Sequence, residues 1–254
     1  MYRAFNLAEI VFKQTFIDEG AASFFTNKNI VEKALSDFLK NGTIDGTKLR
    51  GHWFPEIKAD VFISHSHKDQ TDAKNLAGFL RKKFGLTSFI DSCVWLYSDD
   101  LLKQIDLQYC TDDGGKTYSY ENRNGSTTHV HMMLATALGE MLDSAECAIF
   151  MNTPNSITSQ NAVSKTHSPW IYYELGMIKL IRENVPKRLR LIKEALVNMS
   201  RASREMVPID YAVDLSALTE INSNHLNNWD ALRQKEGRDV HSLDLLYRVA
   251  AGKA

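Results

Sequence analysis

Apolar and polar positions change their rhythm along the chain. Up to about residue 40 the spacing is helical but uneven. Phe5, Ile10, Val11, Phe16 and Ile17 recur irregularly, whereas Ile30, Val31, Ala34, Leu35, Phe38 and Leu39 keep a helical period until Asn41-Gly42 stops it. Thr43 to Pro55 reads as a connecting loop. From Ala59 a different pattern begins. Val61-Phe62-Ile63 is a short apolar run between polar residues, as in a strand buried on both faces. Ala73, Leu76, Ala77, Leu80 and Phe84 then mark one face of a helix, and Gly85 supplies its C-terminal stop. Leu86 to Ile90 reads as the next strand, Val130, Met133, Leu134, Ala137 and Met141 as a second helix, and Cys147 to Met151 as a third strand. A third helix opens at Ser168-Pro169-Trp170, with Ser as cap and Pro in the first turn.

Strand and helix in alternation predict an α/β fold, a doubly wound parallel sheet. Leu189 to Ile192 and Tyr211 to Leu215 are the candidates for later strands. A C-terminal helical part around Leu226, Trp229 and Leu243 to Val249 packs on the sheet. One stretch breaks the alternation. Asp112-Asp113-Gly114-Gly115 and Asn124-Gly125 flank the β-prone Lys116 to Tyr120, so residues 98–128 read as a hairpin-like insertion after the second strand. The expected organisation is a helical N-terminal extension over residues 1–58, followed by one α/β domain over 59–254 that carries the insertion.

Composition narrows the classes. The chain has 254 residues, 44% of them hydrophobic, so a full core is expected. Its formal net charge of −1 argues against direct nucleic-acid binding or a lipid-coating role. Cys93, Cys110 and Cys147 form no CxxC pair, and with no apolar run of about 20 residues the expectation is a cytoplasmic protein outside the membrane.

Ligands of open α/β sheets bind beyond the carboxyl ends of the strands. This directs attention to Ser64 to Asp69, Asp91 to Trp95, Asn152 to His167, and the helix from Pro169. That helix carries only Glu174 and Lys179 as charges among Trp170, Ile171, Tyr172, Tyr173, Leu175, Met177, Ile178 and Leu180. Trp170 and Glu174 stand at i and i+4 on one face. An acid embedded there must be paired, protonated or turned to a cavity. The plainer alternative is a carboxylate satisfied by an arginine or a backbone amide. Trp170 and Tyr173 also read as core aromatics, and Asp91 as a turn or cap. His65-x-His67 and His129-x-His131 give no complete metal-ligand set. Gly114-Gly115-Lys116-Thr117 lacks the first glycine of a P-loop, because Cys110 stands there. The Lys187-Arg188 and Arg190 cluster reads as a solvated face.

Three stretches taken together resemble the Toll/interleukin-1 receptor (TIR) domain family. They are Asp60-Val61-Phe62-Ile63-Ser64-His65 with Asp69, Gly85-Leu86-Thr87-Ser88-Phe89-Ile90-Asp91, and Ser168-Pro169-Trp170-Ile171-Tyr172-Tyr173-Glu174-Leu175. The resemblance spans about residues 59–183 and implies a flavodoxin-like sheet. Bacterial-type enzymes of the family cleave NAD+ at the nicotinamide–ribose bond, giving ADP-ribose or a cyclic isomer, often in antiphage defence or immune signalling. It implies Glu174 as the catalytic residue, with NAD+ as substrate and no separate cofactor or metal. Ser64, His65, Asp91, Trp95, Trp170 and Tyr173 are the implied substrate-binding residues. It further implies self-association through TIR domains and a separate effector or sensor partner. Two other readings stand beside it: a non-catalytic TIR interaction module acting by assembly, and an enzyme similar to nucleoside deoxyribosyltransferases.

Overall fold

The computed structural model describes residues 1–12, 15–25, 35–40, 43–90, 92–112, 117–160, 163–192 and 211–252. Its centre is a five-stranded sheet: β1 (Arg3–Leu7), β2 (Val61–Ser64), β3 (Ser88–Ile90), β4 (Cys147–Met151) and β5 (Thr219–Ile221). All pairings are parallel, in the spatial order β5-β1-β4-β2-β3. Eight α-helices accompany it among the described residues: α1 (Ile17–Phe25), α2 (Gly46–Trp53), α3 (Gln70–Phe84), α4 (Ser92–Tyr109), α5 (Tyr120–Ser144), α6 (Pro169–Leu180), α7 (Ser223–Glu236) and α8 (Ser242–Ala250).

Side chains alternate across the strands and so build two cores. Ala4, Phe62, Phe89, Ala148 and Phe150 face α2, α4, α5 and α6. Phe5, Leu7, Val61, Ile63, Cys147, Ile149 and Met151 face α3, α7 and α8. With both faces covered, β4 is buried at every residue, which explains its uninterrupted apolar run. Helix α1 lies on α3 at backbone contact. A Cβ on Gly78 would stand 1.9 Å from the Phe16 carbonyl oxygen, so only glycine fits that crossing. Gly85 ends α3 in the left-handed conformation, φ 69°.

The α/β class and the parallel sheet flanked by helices agree with expectation, and several elements do not. The N-terminal extension is not simply helical. Arg3–Leu7 is a strand in the sheet's interior, paired with β4 from Arg3↔Cys147 to Leu7↔Met151 and with β5 on its other edge. It therefore lies inside the sheet that a boundary at residue 58 would separate it from. Counted from β2, the sheet has the flavodoxin-like order 2-1-3-4-5, with its fourth place filled from the chain's beginning. The helical period at 30–39 lies partly outside the described residues and ends in a 3-10 turn, Leu35–Phe38. The expected loop over 43–55 contains α2, capped by Asp45, whose side chain accepts from the Lys48 amide.

The insertion is likewise helical. Strands Thr111–Asp112 and Thr117–Tyr118 form only a small clip between α4 and α5. Buried Asp106 fastens the two helices, accepting from Ser126 Oγ at 2.5 Å and Arg123 Nε at 3.0 Å. Leu189 to Ile192 belongs to a 3-10 segment, not a strand. Tyr211–Ala212 extends a separate antiparallel sheet with Thr158–Gln160 and Val163–Thr166. No described helix is long and apolar enough to cross a membrane.

Candidate functional site

From β2 the chain moves outward to β3, then returns to β4 on the opposite side of β2. The crevice between the carboxyl ends of β2 and β4 is therefore a topological switch point, where open α/β sheets bind ligands. Ser64 ends β2 at this crevice. Helix α6 crosses above it, started by Ser168, whose Oγ accepts from the Ile171 amide at 3.3 Å. Its second turn brings Glu174 down onto the sheet. The Ser64 hydroxyl donates to Glu174 Oε2 at 2.5 Å. Glu174 has no exposed surface and Ser64 only 1%. A hydroxyl–carboxylate bond this short is typical of a charge-assisted contact and contributes about 1.5–3 kcal/mol.

The crevice is closed by a polar clasp. Asp69, in the turn before α3, accepts from Thr153 Oγ1 at 2.5 Å and Asn155 Nδ2 at 2.6 Å, so the loops after β2 and β4 are tied together. The second loop is stiffened from within: Ser156 Oγ donates to the Met151 carbonyl and accepts from the Thr153 amide. Beside this clasp lies an open depression of about 420 Å³, lined by Asn152, Thr153, Pro154, Ile157, Thr158 and Ser164. Glu174 is not in its lining. The open volume and the buried carboxylate do not form one cavity.

The residues expected to bind substrate separate into three groups. Ser64 meets Glu174 directly, and His65 follows it, also buried. Trp170 and Tyr173 turn to α5. Tyr173 Oη donates to the Ala135 carbonyl at 2.5 Å, an approach possible because residue 139 is glycine; a Cβ there would stand 2.8 Å from that hydroxyl oxygen. Burial first, and the charge of Glu174 second, push the Tyr173 phenol above its ordinary pKa. Trp170 is half-buried, edge-on to His131 at 5.6 Å and to Tyr173 at 6.4 Å. Asp91 lies outside the described residues. Trp95 falls within α4, and its side chain is likewise outside the description.

Sequence reasoning missed Asn6. It lies on β1 in register with Phe150, which is itself in register with Ser64. It is 5% exposed, and its Oδ1 meets no hydrogen-bond partner among the described residues. A polar residue interrupting Ala4-Phe5-Asn6-Leu7 was the available signal, once that stretch is recognised as a strand. The Asp69 partners Thr153 and Asn155 belong to a segment already marked as facing the strand ends, although their contact spans more than 80 positions.

At the opposite end of the sheet, Arg188 is no solvated charge. Its guanidinium donates to both carboxylate oxygens of Glu146, at 2.6 and 2.8 Å, and also to Asp244. Glu146, His241 and Asp244 are the one group among the described residues spaced for a metal ion, and Arg188 already bridges its two acids. Burial pushes the Cys110 and Cys147 thiols up, so neither offers a ready thiolate.

Fold and site thus define a doubly wound α/β protein with a closed Ser–Glu pair at its switch point. No protein-family model, no curated protein and no solved structure matches the chain.

Proposed function

We propose that the chain is a TIR-type enzyme that cleaves the nicotinamide–ribose bond of NAD+. The observation that carries this reading is Glu174: a wholly buried carboxylate, oriented by Ser64, at the position where a doubly wound sheet binds ligands. Nicotinamide in NAD+ is a positively charged leaving group, so its departure with the bonding electron pair needs little acid catalysis. What the reaction requires is stabilisation of the oxocarbenium-like ribose, and a desolvated carboxylate supplies it. Ser64 holds that carboxylate in one orientation. Water adding at the anomeric carbon and losing a proton gives ADP-ribose; an adenine or ribose atom adding there gives a cyclic isomer.

The closed pair requires opening before substrate enters, which fits an enzyme activated by assembly with further copies or by a sensor partner. In this reading the protein works in the cytoplasm, with a defence or immune-signalling role. The test is incubation of the assembled protein with NAD+ and separation of products by chromatography and mass spectrometry. Release of nicotinamide that Glu174→Gln abolishes supports the reading; no release, or release unaffected by the substitution, sinks it.

One observation favours the interaction-module reading. Leu107, Tyr109, Tyr118 and Tyr120 are exposed around the clip joining α4 and α5, the kind of apolar and aromatic surface that assembly uses. In that case charge substitutions at Tyr118 and Tyr120 abolish assembly while Glu174→Gln leaves function intact.

A further inference from the structure

The strand ends place Ser64, Phe150 and Asn6 in one row across the sheet, all on the face that α6 covers. Ser64 is committed to Glu174. Two strand spacings away, at about 10 Å, Asn6 is enclosed with its Oδ1 facing no donor among the described residues. The next residue in the row, Glu220 on β5, is exposed, so the row runs from the closed carboxylate toward solvent. Asparagine is a poor strand residue, and an apolar side chain of its size would fill the same place without an unmet acceptor. Buried polar groups left unmatched in a fold call for an explanation, and a ligand-binding role is one. An amide both donates and accepts, so it matches a carboxamide edge-to-edge or a pair of ribose hydroxyls.

We propose that Asn6 is a substrate-contacting side chain of the Glu174 site, hydrogen-bonding a carboxamide or ribose hydroxyl of an N-ribosyl ligand. This rests on reading that site as one for N-ribosyl compounds. It extends the site to the first strand of the chain, and the separation from Ser64 is the span of a nucleoside rather than of a whole dinucleotide.

Asn6→Leu tests it, since this change removes the amide and keeps the volume. The expected result is an unfolding midpoint equal to or above wild type, with KM for NAD+ raised about tenfold or more and kcat changed far less. A midpoint lowered by several degrees with KM unchanged overturns the proposal and makes Asn6 a packing residue. A wild-type protein that releases no nicotinamide removes the NAD+ reading alone. Asn6 is then judged by thermal shift with NAD+, ADP-ribose and a panel of nucleosides. A wild-type shift that Asn6→Leu abolishes upholds the contact. A shift the variant keeps, or no shift in the wild type from any of these ligands, overturns it.

Discussion

The two ends of the central sheet treat their polar groups differently. At the amino end, the acids before β4 and in α8 share one guanidinium, and Tyr247 Oη adds a further donor to Glu146 at 2.8 Å. Arg188 is raised above its ordinary pKa chiefly by its hydrogen bonds to Glu146. In that network both acids are hydrogen-bonded to the one cation, and it draws the 3-10 segment, β4 and α8 together. At the carboxyl end, Glu174 receives a hydroxyl, and Asn6 presents an oxygen with no partner among the described residues. A satisfied network rigidifies a fold. An unmet acceptor such as Asn6 Oδ1 is a cost in the folded state that a ligand can relieve. The amino end thus has the character of a structural clamp, and the carboxyl end that of a candidate binding site.

Substitution at Glu174 is expected to have the largest effect. Glu174→Gln is expected to lower nicotinamide release by about a hundred- to a thousandfold, with circular dichroism and unfolding midpoint close to wild type; a large loss of stability at unchanged activity would reverse the assignment of the two ends. Arg188→Ala is the mirror experiment. Leaving two partly buried carboxylates without their shared cation costs about 3 kcal/mol in denaturant unfolding, while the turnover of folded protein stays within about twofold. Ser64→Ala removes a donor from a buried carboxylate and is expected to cost about 2 kcal/mol, together with activity; loss of stability alone would make the bond structural.

The smallest effect is read from pH. Burial, then the nearby Cys147 and Glu146, hold the Tyr247 phenol protonated well above its ordinary value. The unfolded chain releases that proton first, near pH 10. The contribution is therefore complete below pH 10 and is lost as pH rises toward the folded-state value, at about 1.4 kcal/mol per pH unit. Unfolding curves from pH 9 to 11 are expected to show the decline, and Tyr247→Phe to make it shallower by one proton.

What could be read from the chain beforehand followed from local signals. The apolar run at Val61-Phe62-Ile63, the face ending at Gly85, and the Ser168-Pro169 start each have causes within a few residues, and each element stands where expected. β1 does not have such a cause. Arg3-Ala4-Phe5-Asn6-Leu7 carries a polar residue in its middle, and its pairing partners lie more than 140 positions away. β5 keeps a single buried residue, Ile221, because it is an edge strand. The length of α5 was hidden by its polar first turns, Tyr120 to Asn124, which project beyond the core. At the site, Ser64 and Glu174 were visible as residue types on strand end and helix, but their contact across 110 positions came only from the fold. Asn6 was invisible because the strand that carries it was.

Placing the first strand between β4 and β5 also sets a timetable. At about 5–20 residues per second during synthesis, β1 leaves the ribosome on the order of 10 s before β4 does, and β5 follows later still. Through that interval an apolar segment has neither neighbour to pair with, and the nascent chain must keep it from other strands. Closure of the sheet is thus a late, long-range event in synthesis, because β1 finds its two neighbours only once β4 and β5 have both emerged.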